Sequence, residues 1–192
     1  MFTKDYLELI ETTGSFEEYV YFDHLKNREI IINQQVDDSL VERAIMQILK
    51  WNAEDDGNPK NQPIKIYLNS PGGDVYLGLV LCEVIKKSKI PVHLTVLGLA
   101  ASLGGLLAIA AHKTFAYEYS NLLIHDGSTF LQGSSNKVKD TMKFQEAKDE
   151  QIKRFVVDNT NITEEKYDDM IDREWWLTAQ QAKEYGIVQE IL

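Results

Sequence analysis

Three apolar, β-rich runs punctuate the middle of the chain: "IKIYL" (Ile64 to Leu68), "PVHLTVLG" (Pro91 to Gly98) and "LLIH" (Leu122 to His125). The first runs into the turn "NSPGG" and then the helical pattern "VYLGLVLCEVIKK"; the second runs into "AASLGGLLAIAAHK", which also reads as a helix. Strands that alternate with helical crossovers form parallel pairs, because a parallel connection needs a dozen or more residues and its helix covers the sheet. An α/β fold with a mostly parallel sheet is therefore expected. Upstream, "EIIIN" (Glu29 to Asn33) predicts a short buried strand. Leu40, Val41, Ala44, Ile45, Ile48 and Leu49 then fall at helical spacing, with Asp37, Asp38 or Ser39 able to cap the start. "AEDDGNPKNQP" reads as a solvated loop. The last third changes character. A long, charged amphipathic helix is predicted from about residue 137 to 159, a shorter one at "TEEKYDDMI", a helix at "TAQQAKEYG" and a closing strand at "IVQEIL".

With 192 residues the chain has room for one domain and a full core, and it is read as a single domain, 1–192. Its net charge of −10 argues against binding a nucleic-acid phosphate backbone, but would not repel a neutral or basic polypeptide. Cys82 is the sole cysteine, which excludes an intrachain disulfide and a cysteine zinc cluster; within "LVLCEVI" it reads as a small buried hydrophobe. The opening "MFTKDYLELIETTGSFEEYVYF" is acidic and has no long apolar stretch, so no secretory signal is expected. The apolar region at 96–111 is broken by Ser102 and glycines and is too short to span a bilayer. A location in the cytoplasm or an organelle matrix is the expectation.

The two glycine turns carry the candidate chemistry. A helix N-terminus presents unpaired N–H groups at the positive end of its dipole, and two such termini side by side can hold a developing oxyanion. Ser102 sits at the second, where the Leu103 N–H would face the oxygen formed by attack on a carbonyl. Gly73, in the first, could supply the other donor. The plain alternative is that Ser102 caps a helix and Gly72 and Gly73 turn the chain. Among four histidines, His24 lies in a charged stretch and reads as solvated, while His93 and His112 read as structural. His125 ends an apolar strand, and strand C-termini open onto active-site crevices in α/β sheets.

"YLNSPGGDV", "GLAASLGGLLAIAAHK", "NLLIH" and "LTAQQAKEYGIVQEIL", with a weaker likeness at "VYFDHLKNREIIINQQVDDSL", resemble the proteolytic subunit of the Clp protease over nearly the whole chain. The resemblance implies a ClpP/crotonase-like α/β superhelix of βα units with a protruding handle helix. It further implies an N-terminal segment at 1–20 and a handle region at about 126–160. It implies a homo-oligomer of two stacked seven-membered rings, an AAA+ unfoldase partner, polypeptide substrates, and no cofactor, metal, nucleic acid or membrane. Position by position it makes Ser102 the nucleophile, His125 the general base, and the backbone of Gly73 and Leu103 the oxyanion hole. Where the family carries an aspartate in an Arg-Asp-Arg-Phe-Leu-Ser-like stretch, this chain reads "DREWWLTA", and alignment on Leu177 puts Glu174 in the acid's place, with Asp172 as the alternative. Asp126 adjoins His125, but neighbouring strand side chains point to opposite faces. The chain also reads "HDGS" where the family has His-Gln-Pro, and "FTKDYLELIETTGS" only loosely matches the family's axial-pore loops.

The first reading is thus a serine endopeptidase of the ATP-dependent Clp type. Against it stand a catalytically inactive ring subunit or adaptor and a crotonase-type enzyme acting on coenzyme A thioesters, which shares the two turns without needing the Ser-His pair. A Ser/Lys signal-peptide peptidase would call for a membrane anchor, and none is evident.

Overall fold

The computed structural model describes residue 12 and residues 14–58 and 62–192. Most of the segment expected around an axial pore lies outside the described residues. In chain order the elements are α1 (Phe16–Lys26), β1 (Glu29–Ile32), α2 (Asp38–Glu54), β2 (Ile64–Ser70), α3 (Val75–Lys86), β3 (Val92–Ala101) and α4 (Leu103–Ala110). There follow β4 (Lys113–Ala116), β5 (Asn121–Ile124), α5 (Ser135–Asn159), α6 (Glu164–Met170), β6 (Trp175–Thr178), α7 (Ala179–Glu184) and β7 (Glu190–Ile191). The expected α/β architecture is present. The sheet is mixed, with β1, β2, β3, β4 and β7 joined in parallel and β5 also parallel to β3. Among the described residues only the β5–β6 pair is antiparallel.

β3 is the organising strand. On one side it pairs with β2 along most of its length. On the other it changes partner, with His93 to Val96 facing β4 and Leu99 to Ala101 facing β5. Ser120 fills the gap between the two ladders, its buried hydroxyl donating to Val96 O at 2.9 Å. Around this strand the core follows periodicity. β2 alternates buried and half-buried positions, and α2 buries Leu40, Val41, Ala44, Ile48 and Trp51 while its Asp37 cap accepts the Leu40 N–H at 2.8 Å. α4 is buried at every residue, as its composition of leucine, alanine, glycine and isoleucine requires.

Several expectations are corrected. Ala100 and Ala101 do not begin a helix; they complete β3 by pairing with Leu122 and Leu123, and α4 starts only at Leu103. The helix read through Lys113 ends at Ala110, because Lys113 starts β4. Strands β4 and β6 and helix α1 are elements that periodicity did not mark. His24 is not simply solvated, since its Nδ1 lies 2.6 Å from Glu29 Oε2, with Lys65 Nζ donating to the other Glu29 oxygen at 3.1 Å. Burial opposes ionisation of Glu29, but the hydrogen bonds from His24 and Lys65 prevail and hold its carboxyl below its ordinary value. Cys82 is buried as expected, and burial pushes its thiol up to about 12. No described helix is long and apolar enough to cross a membrane. The charged helix, α5, spans 25 residues with only Val156 buried, and Ile152, Phe155 and Val157 in its C-terminal part pack against the core half-buried.

His93 and His112 are structural, as their positions suggested. His112 Nδ1 accepts the Val92 N–H at 3.1 Å, and His93 meets the Phe115 ring edge-on. Burial holds both below the ordinary histidine value, with the Lys113 charge adding to the effect at His93. As pH falls through about 6.5 the unfolded chain therefore binds protons first, and stability present above that pH is lost down to the folded-state values. Glu29 adds a separate loss below the ordinary carboxylate value. Denaturant midpoints measured from pH 7.5 to 5.5 should fall, and His112→Ala should flatten that slope while costing about 1 kcal/mol at pH 7.5 through the lost Val92 hydrogen bond.

Candidate active site

The two glycine turns meet at the C-terminal ends of β2 and β3. Buried Ser70 holds the first, its hydroxyl donating to Gln34 O at 2.6 Å and accepting the Gly72 N–H at 3.2 Å. Val36 donates to Gly72 O and accepts from the Asp74 N–H, at 2.8 and 3.1 Å, forming a parallel bridge to Gly73. In such a bridge the Gly73 N–H points away from Val36, and it has no partner among the described residues. Asp74 then caps α3, accepting the Leu77 N–H at 3.0 Å. Glycine is required at both turn positions. Gly72 has φ +95°, and a Cβ there would lie 2.7 Å from Ala101 O and 2.8 Å from Ser102 Cβ; at Gly73 it would strike Val36 O.

Ser102 occupies the second turn with φ 55° and ψ −120°, a region that belongs to glycine. Its own N–H donates to Leu123 O at 2.8 Å and its carbonyl accepts the Gly105 N–H at 2.9 Å, so the flanking structure holds the strain. The hydroxyl makes no capping hydrogen bond, against the plain reading of Ser102 as a helix cap. The Leu103 N–H opens α4 without a partner among the described residues. The strained strand-to-helix turn thus presents a hydroxyl beside two unpartnered N–H groups on touching turns.

His125 follows β5 directly and lines, with Ser102, one cavity of about 420 Å³. No hydrogen bond joins the two side chains. The antiparallel β5–β6 register pairs Ile124 with Trp175, and one step further sets His125 opposite Glu174. Their side chains approach to 3.6 Å between Nδ1 and Oε1, longer than a hydrogen bond, with the imidazole 22% and the carboxylate 65% exposed. Asp172 lies two residues further out, and its carboxylate instead approaches Arg173 Nε at 3.7 Å. Asp126 does not pair with His125; its backbone N–H is bound to Ile171 O at 3.0 Å. Reasoning from sequence missed Ser70, whose position inside "NSPGG" hid its role, and it missed the acidic residues that α5 and α6 bring to the cavity. Among the described residues, no group of histidine, cysteine or carboxylate side chains is placed to hold a metal ion.

The strain at Ser102 is testable by itself. Ser102→Gly should be more stable than Ser102→Ala by about 1 kcal/mol in denaturant unfolding, although glycine gains more entropy on unfolding. Equal stabilities would mean that the turn relaxes.

The family model described as Clp protease matches residues 13–192. Such a match takes in both glycine turns, the strand-end histidine, the long handle-like helix and the closing helix and strand. With the mixed α/β fold it supports a ClpP-type peptidase, and the chain belongs to the Clp protease family.

Proposed function

We propose that the protein is a serine endopeptidase that cuts unfolded polypeptides, with Ser102, His125 and Glu174 as its working groups. The observation that carries this reading is the strained Ser102 turn, packed against Gly72, whose hydroxyl caps nothing and which adjoins Gly73 and Leu103 N–H groups unpartnered among the described residues. Ser102 Oγ attacks the peptide carbonyl carbon while His125 accepts its proton. The N–H groups of Gly73 and Leu103 donate to the oxyanion. Collapse breaks the C–N bond, and His125 returns the proton to the departing amine. A water deprotonated by His125 then hydrolyses the ester, and the proton goes back to Ser102 Oγ. Glu174 accepts a hydrogen bond from the imidazole and fixes its tautomer. Catalytic contacts of this kind often tighten only with substrate bound, and the 3.6 Å His125–Glu174 approach leaves room for it.

The family supports a wider assembly: two stacked rings enclosing the sites, fed by an ATP-consuming AAA+ unfoldase in the cytoplasm or an organelle matrix. The exposed apolar side chain of Met142 on α5 supports a role for that helix between rings, while Phe144 stacks on Tyr76 of α3. A second reading, an inactive ring subunit, is favoured by the missing Ser102–His125 hydrogen bond. The coenzyme A thioester reading has no such support.

The first measurement separates these and the second tests the assembly. Glu174→Gln should lower kcat/KM on an unfolded polypeptide about 100-fold, and Asp172→Asn should change it less than about threefold. Equal losses would shift the acid's role away from Glu174, and no hydrolysis by the parent protein would favour the inactive subunit. Met142→Glu should reduce the mass seen by light scattering relative to the parent assembly, and an unchanged mass would remove this face of α5 from the contact.

A further inference from the structure

The cavity beside Ser102 has an apolar floor, including Val75, Leu106 and Ile152, and an acidic rim. Asp126 comes from the segment after β5, Glu146 and Asp149 from α5, and Asp168 from α6. The rim's lysine, Lys153, is already engaged, donating to Asp168 at 2.8 Å and approaching Glu164 at 2.9 Å. These two carboxylates, Asp168 first, push its ammonium up from the ordinary lysine value. Glu150, also on the rim, pairs with Arg154 at 3.0 Å, and Asp149 accepts only the neutral Gln145 amide at 2.8 Å, so Asp126, Glu146 and Asp149 keep their charge without a cationic partner among the described residues.

Tyr167 gives an independent indication of what is missing. Its side chain is 5% exposed and lines the cavity, yet its hydroxyl has no hydrogen-bond partner among the described residues. Every fully enclosed side-chain oxygen or nitrogen among those residues is partnered. The Tyr167 oxygen is therefore not fully enclosed, and the cavity is a space that Tyr167 lines. Burial, followed by the charges of Asp149 and Asp168, pushes the phenol up to about 12, with Asp126 adding to them and Lys153 opposing. The group is a neutral hydroxyl with free lone pairs, ringed by carboxylates from three elements. A cationic N–H donor completes such a site, and a neutral alkyl group does not.

We propose that this cavity receives a lysine or arginine side chain of the polypeptide substrate, belonging to the residue whose carbonyl Ser102 attacks. The aliphatic stem lies on the apolar floor and the charged head reaches Tyr167 Oη and the carboxylates of Asp126 and Asp149. An acidic side chain is repelled. The proposal rests on the reading of Ser102 as the nucleophile, and it assigns the substrate class of that site.

The test uses the full chain carrying Ser102→Ala and fluorescein-labelled peptides identical except for lysine, norleucine or glutamate at one position. Anisotropy should show the lysine peptide bound about tenfold more tightly than the norleucine peptide, with the glutamate peptide weakest. The preference should shrink as salt is raised. Adding Asp126→Asn and Asp149→Asn should abolish it while the norleucine affinity and the thermal midpoint stay near their starting values. Equal binding of lysine and norleucine, no binding of either, or a lysine preference that survives both substitutions would overturn the proposal. Hydrolysis by the parent protein is read in parallel. Lysine-selective binding without hydrolysis removes the peptidase reading and with it the assignment to the attacked residue, whereas hydrolysis indifferent to lysine removes the cavity assignment alone.

Discussion

Where β2 and β3 end, the chain must bring two turns into van der Waals contact, and the absence of a side chain at Gly72 sets how close they come. A single Cβ there would press on Ala101 O, on Ser102 Cβ and, at 3.1 Å, on the Leu103 nitrogen. Much of the site's geometry depends on this approach. It puts the opening of α4 beside the turn that precedes α3, so two helix N-termini present their free N–H groups together. It also confines Ser102 to a backbone conformation that costs roughly 1–3 kcal/mol, held by its hydrogen bond to Leu123 and by the fully buried α4 that follows. The buried Ser70 hydroxyl secures the first turn from behind.

The partner change along β3 matters equally. Had β4 continued beside β3 to its end, His125 would have had no place near Ser102. Because β5 takes over at Leu99, its register with β3 carries the chain past Ser102, and its antiparallel register with β6 sets Glu174 across from His125. At the handover Val96 O accepts both the Tyr117 N–H, at 3.2 Å, and the buried Ser120 hydroxyl, at 2.9 Å. The acid's position is thus a consequence of strand register rather than of any local motif around "DREWW".

This explains which parts could be read in advance. β2, β3, α2 and α3 carry clear periodicity and set Gly73, Ser102 and Leu103 where they end, while the apolar run of β5 sets His125. β4 and β6 are as short as β1 and β5 but lack the run of branched aliphatic residues that marks those two, and without β6 nothing in sequence could weigh Glu174 against Asp172 by geometry. The start of α4 was misplaced because alanine is at home in a helix, and only pairing with β5 keeps Ala100 and Ala101 extended. The acidic cavity rim was least visible. Asp149 on the charged α5 and Asp168 on α6 read as solvated helix faces until packing brings them to the Tyr167 hydroxyl.

The central claim is that the Ser102 turn presents an activated hydroxyl. Its most direct test is the intact mass of the assembled protein after exposure to a fluorophosphonate, with peptide mapping of any adduct. The account predicts one adduct per chain, on Ser102, that disappears in Ser102→Ala. An unmodified chain, or an adduct that persists in Ser102→Ala, would contradict it.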